Sequence, residues 1–566
     1  MTYHAPVDEM KFLLDEVLGA TRLAETERFA DATDEICEAI LTEAARMSEE
    51  VIAPLNNSGD LHPAKLENGV VRTSPGFVDG YRAIAEGGWV GISADPEFGG
   101  MGLPMTMNTA VNEMLTSSCM ALGLCPLLTQ GQIEALEHHG SDEVKATYLP
   151  KLISGEWTGT MNLTEPQAGS DVGALKAKAE RNADGTFSVT GQKIFISWAD
   201  HDFGGNVCHL VLARLPDGVA GTKGISLFLV PKFIPDGDGL GAQNALKVIS
   251  LEHKMGIHGS PTAVMDFDGA TGWLVGEEHG GMAAMFTMMN NARLGVGVQG
   301  LGIAEAAYQH ALAYAKDRKQ GQGMREEIGT ILDHADVRRM LLTMKALTAG
   351  ARAICLDTAF STDMARADQG KEWSARAAFL TPIAKAFSTD IGSQVAELGV
   401  QVHGGMGFIE ETGAAQFSRD VRVAAIYEGT NGIQALDLVG RKLKDGGTVA
   451  NALQDEVRET AKAADALDNE TSQTLLAALD ALAETTNWMT KAEMNDRAAG
   501  SVGYQHAWGL VLTAHYLLKS ALVSGDTDRN ALARFFTMNV LPQVHGLTIA
   551  AQRGDKDLYA VSAAAF

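Results

Sequence analysis

The feature that most constrains the fold is a β-patterned segment, residues 160–270, set between two helical regions. Before it, apolar residues recur at helical spacing, and Met105–Leu124 is typical of a long buried helix. Within it, apolar and polar residues alternate, and Asp184-Gly185 joins two strand patterns as a hairpin turn. From about Gly280 the spacing is helical again. The sequence therefore predicts a mainly α protein with a central β-barrel domain.

The same patterns divide the chain into five regions. We predict an N-terminal helical arm (1–35), an N-terminal α-helical domain (36–159), a β-barrel domain (160–279), a four-helix bundle domain (280–445) and a C-terminal helical extension (446–566). No polar or titratable cluster stands out in the extension, so we interpret it as a packing or oligomerisation domain.

Composition excludes several classes of function. The 566 residues carry a net charge of −26, which disfavours binding to nucleic acid or to an anionic membrane through a general field. The sequence lacks the apolar run of about 18 residues that a membrane span needs, and its first residues do not resemble a signal peptide. The five cysteines include no C-x-x-C pair, so we expect reduced thiols, no metal site and a cytoplasmic location.

The candidate catalytic residue is Glu428, within the segment V-A-A-I-Y-E-G-T-N-G (423–432). The apolar residues before it provide a dry neighbourhood, which raises the pKa of a carboxyl toward neutrality. That is the state required of a general base that removes a weakly acidic C–H proton. Gly429 and Thr430 turn the backbone and offer donors to a ligand. The alternative is an ordinary residue at a helix end.

Two further loops offer backbone groups to a ligand. Thr164–Asp171 combines proline, glycine and hydroxyls in a turn, and Gln401–Phe408 contains paired glycines. A connecting turn and a helix C-cap are the structural alternatives. Arg318 ends the predicted helix that begins near Gly295, where it would suit either the helix dipole or a pyrophosphate. The G-x-G-x-x-G at 295–300 follows a helical pattern and not a strand, so we assign it to close helix packing.

Together these motifs resemble the acyl-CoA dehydrogenase family of flavoproteins. The terminal regions resemble those of the larger members. The matching segments follow the family order and are P-E-F-G-G-M-G (96–102), M-N-L-T-E-P-Q-A-G-S-D (161–171), G-Q-K-I-F-I-S (191–197), D-R-K-Q (317–320), Q-V-H-G-G-M-G-F (401–408) and I-Y-E-G-T-N (426–431).

The resemblance implies a helical domain, a β-barrel and a four-helix bundle, with FAD between barrel and bundle. The residues that it assigns to FAD are Met161, Leu163, Thr164, Ser170, Phe195, Ile196, Ser197, Thr430 and Asn431, with Arg318, Gln401, Gly404 and Gly405 completing the site of a neighbouring subunit. The residues that it assigns to the substrate are Ser170, Asn290, Arg293 and Gly429. Relatives often differ at Phe195, Met161 and Asn290, which concerns substrate detail and not the chemistry.

The implied reaction is α,β-dehydrogenation of a short acyl-CoA to the trans-2-enoyl-CoA. Glu428 would remove the α-proton while the β-hydrogen leaves to the flavin, and an electron-transferring flavoprotein would take the electrons. We expect a homo-oligomer, either a dimer or a tetramer. The alternatives are an acyl-CoA oxidase, which passes electrons to O₂, and a non-catalytic member of the same scaffold. A DNA-associated member would need a basic surface, which the acidic composition disfavours.

Overall fold

The computed structural model describes residues 3–325 and 327–566. The α-helices are α1 Val7–Phe12, α2 Asp34–Met47, α3 Leu55–Leu61, α4 Phe77–Glu86, α5 Met105–His139, α6 Asp142–Ile153, α7 Gly281–Asp317, α8 Ala335–Arg366, α9 Lys371–His403, α10 Ala414–Val421, α11 Asn431–Asp437, α12 Thr448–Ala463, α13 Asn469–Lys491, α14 Met494–Ser524, α15 Thr527–Asn539 and α16 Gln543–Ala551. The strands are β1 Lys65–Glu67, β2 Val70–Arg72, β3 Thr158–Asn162, β4 Lys178–Arg181, β5 Phe187–Ser197, β6 Val207–Arg214, β7 Ile225–Pro231, β8 Phe233–Asp236, β9 Gly239–Gln243, β10 Leu246–Leu251 and β11 Thr262–Val275.

Backbone contacts group the chain into two compact units. One unit contains the chain up to Leu41 together with Arg293–Phe566, and the other contains Thr42–Ala292. This grouping is coarser than the five predicted regions, whose individual boundaries stay a prediction.

The Thr42–Ala292 unit contains the predicted β domain. Its main sheet has the order β10-β11-β5-β4-β6-β3, and β7 pairs with both β11 and β6. The predicted hairpin is present as β4 and β5, and Gly185 supplies the positive φ of the turn. Strand β4 forms four pairs with β5 but only one with β6, Lys178 with Arg214. The central β domain is therefore confirmed, but its sheet is barrel-like and less regular than the barrel that we predicted.

Helix α5 is the long buried helix of the same unit. It extends from Met105 to His139, beyond the predicted end at Leu124, and its backbone is kinked at Cys119. The helix is long and apolar enough to cross a membrane, but 94% of its most apolar 18-residue window is buried within the fold. Its Thr129 hydroxyl accepts a hydrogen bond from the N–H of Gly159 in β3. We therefore interpret α5 as a core helix.

In the other unit, helices α7 and α9 pack closely through glycines. A Cβ atom at Gly297 would lie 2.8 Å from the Ala384 carbonyl oxygen, and one at Gly300 would lie 2.3 Å from that of Ser388. These residues belong to the G-x-G-x-x-G segment, so its assignment to helix packing is confirmed. The helical pattern that begins near Gly280 forms one continuous helix, α7, up to Asp317.

The N-terminal arm packs against the C-terminal extension. Glu9 of α1 accepts two hydrogen bonds from Arg529 of α15, at 2.9 and 2.5 Å. The Arg529 guanidinium also lies 3.9 Å from the centre of the Phe12 ring. The last two helices of the extension are α15 and α16, and α16 begins directly after Pro542.

The extension also takes part in a buried polar cluster that the sequence did not indicate. The Tyr516 hydroxyl of α14 donates to the Asp357 carboxylate of α8 at 2.5 Å. Arg376 of α9 donates to the same carboxylate at 2.8 Å. The sequence did not indicate this cluster because its three residues come from distant segments, and only Tyr516 belongs to the extension.

Candidate active site

Glu428 lies in a strained loop immediately before α11. Its φ is +56°, in the left-handed region that non-glycine residues seldom adopt, and Gly429 follows with a φ of +86°. Such a conformation costs of order 1–3 kcal/mol and persists only where the surroundings impose it. A strained, half-buried carboxylate is a candidate functional group and not an ordinary helix-end residue.

Two side chains of α11 hold this loop in place. The Thr430 hydroxyl caps the helix by accepting a hydrogen bond from the N–H of Ile433 at 3.3 Å. The buried Gln434 amide donates to the carbonyl oxygens of Glu428 and Gly429, at 3.2 and 3.4 Å. The predicted turn at Gly429 and Thr430 is present, but the Thr430 hydroxyl caps α11, and the role of Gln434 was not anticipated.

Two buried cations act on the Glu428 carboxylate. Burial raises the pKa of Glu428 to about 7, and the positive charges of Arg293 and Lys385 limit that rise. Burial lowers the pKa of Lys385 to about 8 and also lowers the pKa of Arg293. The Lys385 ammonium donates to the Asn431 side-chain oxygen at 2.9 Å. Burial and charge together produce a carboxyl group that titrates near neutral pH, as a general base requires.

The second group of predicted residues lies around β5 in the Thr42–Ala292 unit. Phe195 has a φ of +60°, and its ring is 60% exposed, whereas Ile196 beside it is buried. The N–H of Ile194 donates to the Thr164 carbonyl oxygen at 2.9 Å, which joins the turn after β3 to this strand. Ser197 pairs with Thr262 of β11. The strand thus presents an aromatic face beside the predicted Thr164 turn.

A buried ion pair fixes that turn. Lys193 of β5 donates to the Glu165 carboxylate at 2.8 Å and to the Leu163 carbonyl oxygen at 3.0 Å. The carboxylate also accepts hydrogen bonds from the N–H groups of Lys176 and Ala177. Burial acts to raise the Glu165 pKa, but Lys193 and these donors outweigh it and lower the pKa. Glu165 and Lys193 are therefore structural supports that sequence analysis missed, although a lysine within an apolar strand is a usable signal.

The third group lies at the C-terminal ends of α7 and α9. His403 of α9 stacks on Tyr314 of α7 with a centroid distance of 4.4 Å, and its Nδ1 bonds the Gly399 carbonyl oxygen. His403 therefore has a structural role. Arg318 follows Tyr314 by one helical turn and is exposed, as are Gln401 and the loop that begins at Gly404. The parallel packing of the two helices brings these predicted residues to the same end of the unit.

The remaining predicted residues belong to none of these three groups. Met161 lies on β3 and pairs with Leu210 of β6. Ser170 and Asn290 are exposed residues of the Thr42–Ala292 unit, and their assignment to a substrate stays a prediction. Lys385 is the functional candidate that sequence analysis missed. Its signal was a single lysine within the apolar pattern of α9.

We expect Glu428→Gln to stabilise the fold at pH 8 more than at pH 5. The folded protein keeps the Glu428 proton up to about pH 7, whereas the unfolded chain loses it near 4.5. The wild-type protein therefore loses stability as the pH rises between these values, by roughly 1–3 kcal/mol, and the neutral amide avoids that loss. Thermal unfolding midpoints at both pH values measure the difference.

The matched control is Glu484→Gln, the same change at an exposed position of α13. It accounts for any general effect of removing one negative charge from an acidic protein. If Glu428→Gln shifts the midpoint equally at pH 5 and pH 8, Glu428 does not have a raised pKa in the folded state.

Comparison with known protein families matches nearly the whole chain. Residues 34–156, 160–270 and 279–443 match the N-terminal, middle and C-terminal domains of acyl-CoA dehydrogenase. Residues 453–562 match a domain described as acetyl-CoA dehydrogenase C-terminal like. The C-terminal extension therefore matches a known domain of its own, in addition to the three domains of acyl-CoA dehydrogenase.

Individual relatives can also be aligned with nearly the whole chain. The chain is 45% identical to 3-methylmercaptopropionyl-CoA dehydrogenase of Ruegeria pomeroyi, over 96% of each chain. It is 32% identical to a butyryl-CoA dehydrogenase of Syntrophomonas wolfei, over 97% of this chain and 96% of that one. The fold matches the acyl-CoA dehydrogenase of Bacillus anthracis complexed with FAD, with a TM-score of 0.73 and 21% identity over 98% of this chain and 94% of that one. With these similarities across its full length, the chain belongs to the acyl-CoA dehydrogenase family.

Proposed function

We propose that this enzyme dehydrogenates a short acyl-CoA thioester between its α- and β-carbons, with 3-methylmercaptopropionyl-CoA as the first candidate substrate and butyryl-CoA as the next. The observation that carries the proposal is Glu428, a strained carboxylate whose pKa is raised to about 7 between two buried cations. The substrate choice is supported by the 45% identical relative, whose similarity includes both terminal regions. Such a reaction would belong to dimethylsulfoniopropionate catabolism.

The cofactor that fits this chain is FAD. The exposed Phe195 ring offers a flat aromatic surface on a rigid strand. At Gly404 and Gly405 an added Cβ would meet no atom within 4 Å, which leaves open backbone for a large ligand. The residues that would hold FAD are Met161, Leu163, Thr164, Ser170, Phe195, Ile196, Ser197, Thr430 and Asn431, with Arg318, Gln401, Gly404 and Gly405 of a neighbouring subunit. When bound, FAD supplies the acceptor for the two electrons removed from the substrate.

The protein's own contribution begins with the base. The α-proton of a thioester is weakly acidic, and a carboxylate with a raised pKa is a stronger acceptor for it than an exposed one. The positive charges of Arg293 and Lys385 favour the ionised form of Glu428 despite its burial. Glu428 can therefore accept the α-proton near neutral pH.

The same loop provides a donor for the thioester oxygen. Within residues 3–325 and 327–566, the backbone N–H of Glu428 donates to no protein acceptor. Gln434 bonds the Glu428 carbonyl oxygen, in the next peptide unit, and the Thr430 cap fixes the turn that follows. A preorganised donor at an oxygen that gains negative charge typically contributes ~3–4 kcal/mol to the transition state. One residue would thus offer both the base and an oxyanion donor.

We expect Glu428→Gln to fold, to bind FAD and acyl-CoA, and to lose turnover. The amide keeps the size and hydrogen-bonding capacity of the side chain but cannot accept a proton. The kcat should fall by a factor of at least ~10²–10⁴, and bound substrate should shift the flavin spectrum without bleaching it. Stopped-flow absorbance measures both effects, with Glu484→Gln as the control. More than about a tenth of wild-type turnover would remove Glu428 from the mechanism.

We also expect short acyl-CoA thioesters to be the preferred substrates. In a panel followed by flavin bleaching, 3-methylmercaptopropionyl-CoA should give the highest kcat/KM, followed by butyryl-CoA. A higher kcat/KM with chains of about twelve carbons or more would contradict this preference. The electron acceptor that we propose is an electron-transferring flavoprotein, and stoichiometric hydrogen peroxide on turnover in air would indicate an oxidase instead.

We infer that the enzyme is a cytoplasmic homo-oligomer, at least a dimer. All five cysteines are free thiols, which suits a reducing compartment. The loop at the end of α9 exposes its predicted ligand-binding glycines next to the Phe408 side chain, which is 86% exposed. An apolar side chain so exposed is typical of an interaction surface. A neighbouring subunit would cover it and share the Arg318 and Gly404 groups.

We expect light scattering of the FAD-loaded protein to give at least twice the single-chain mass. Phe408→Asp should lower both that mass and the FAD content, because a charge at a buried contact opposes association. A single-chain mass for wild-type protein that retains FAD would contradict a shared site.

A further inference from the structure

Lys385 is a fully buried lysine that fastens the start of α11 to α9. Its ammonium donates to the Asn431 side-chain oxygen at 2.9 Å, and the Thr389 hydroxyl donates to the same oxygen at 3.2 Å. The Asn431 amide nitrogen donates to the Asp390 carboxylate at 2.7 Å and to the Ala386 carbonyl oxygen at 3.2 Å. Asn431 is therefore bonded on both sides to α9, and it stands three residues after Glu428.

The bond from Lys385 is to an amide and not to a carboxylate. In the described part of the chain, no carboxylate oxygen lies within 4 Å of the ammonium. A buried ammonium that lacks a direct ion pair is costly, and its field extends to the nearest anions. The buried Lys193 differs, since it contacts Glu165 directly. The charge of Lys385 thus remains available to act on the Glu428 loop.

The charged groups around this loop come from several elements. Glu428 is influenced by Arg293 of α7 and by Lys385 of α9. Lys385 is influenced in turn by Glu428, Asp390 and Arg293. Asp390 is influenced by His506 of α14 and by Arg422, which precedes the loop. Arg293 is influenced in turn by the charges of Asp437 and Arg441.

Arg293 is itself shared with another carboxylate. Its guanidinium lies 4.0 Å from Asp437 of α11. Asp437 is also contacted by Arg441 and lies 4.0 Å from Lys442. Arg293 therefore acts on both Glu428 and Asp437. Lys385 also acts on Glu428, but in the described residues it has no carboxylate partner within 4 Å.

We propose that Lys385 is a positioning residue for the reaction: it holds Asn431 at the start of α11 and places a buried positive charge that favours the carboxylate form of Glu428. The proposal rests on the proposed role of Glu428 as the base. If it holds, Lys385 is a second titratable group, besides Glu428, on which the pH dependence of the enzyme depends. The base requires Glu428 to be ionised, while the assistance from Lys385 requires its amine to be protonated.

The charge of Lys385 sets the pH at which Glu428 ionises, and so the position of the acid side of the pH–rate profile. Burial raises the pKa of Glu428 to about 7 and lowers the pKa of Lys385 to about 8, so Lys385 is charged where Glu428 ionises. Without the positive charge, burial would keep the proton on Glu428 to a higher pH. The acid side of the pH–rate profile should therefore move upward when Lys385 is neutralised, and activity should recover once the pH exceeds the new value.

The test is the pH profile of kcat/KM for FAD-loaded Lys385→Met, which keeps the aliphatic stem and removes the charge. We expect the acid limb to move up by about one pH unit, with a several-fold loss at pH 7 that diminishes toward pH 9. Lys385→Arg retains the charge and should keep the limb at the wild-type position. Asn431→Ala removes the hydrogen-bond acceptor but not the charge, so it should lower kcat without moving the limb.

The matched control is Lys519→Met, a partly buried lysine of α14 whose charged neighbours include Asp357 and Glu456. Its acid limb should stay at the wild-type position. If Lys385→Met lowers kcat equally at every pH and its limb does not move, the role of Lys385 is structural only and the proposal is wrong. Lys385→Gln provides the same comparison if the methionine variant does not fold.

A readout without turnover separates this proposal from the proposed function. The pH-dependent step in thermal unfolding that arises from Glu428 should move upward in Lys385→Met and vanish in the Lys385→Met/Glu428→Gln double variant. If wild-type protein fails to bleach with any acyl-CoA but the step still moves, the proposed function fails and the coupling stands. If turnover is normal and neither the step nor the limb moves, the coupling fails alone.

Discussion

The constraint on which this site depends is the placement of one half-buried carboxylate, Glu428, in a left-handed loop. Backbone strain and burial both oppose that placement. The compensation comes from the Thr430 cap, the Gln434 amide and the buried cations Arg293 and Lys385. The carboxylate is thus kept in a state that is unfavourable for stability and favourable for accepting a proton, as expected of a site where activity opposes stability.

The parallel packing of α7 and α9 provides those cations. Because Gly297 and Gly300 have no side chain, the two helices approach until backbone atoms almost touch. Arg293 of α7 and Lys385 of α9 then act on the same loop. At the C-terminal ends of the two helices, the same register stacks His403 on Tyr314 and places the exposed Arg318 and the glycine loop at one end of the unit. One helix contact therefore organises both the base and the predicted cofactor-binding end.

Lys193 and Lys385, both fully buried among the described residues, show how the partner decides the role. Burial lowers the pKa of each to about 8. Lys193 bonds the Glu165 carboxylate directly, so its charge is neutralised locally and it fixes the Leu163 carbonyl in position. Lys385 bonds an amide, so its charge acts at longer range on Glu428. Similar burial and similar titration thus give a structural support in one unit and a positioning residue in the other.

The sequence by itself determined the local features of this protein: the β segment between helices, the Asp184-Gly185 hairpin, the glycines of α7 and the dry turn that holds Glu428. Each depends on periodicity or turn chemistry within a few residues. Only the tertiary structure decided that α7 is continuous, that β4 and β6 share a single pair in the sheet, and that Lys385 acts on Glu428. A lysine in an apolar helix pattern looks the same whether its partner is a carboxylate, an amide or water. The partner is chosen by packing between segments that are distant in sequence, which spacing does not encode.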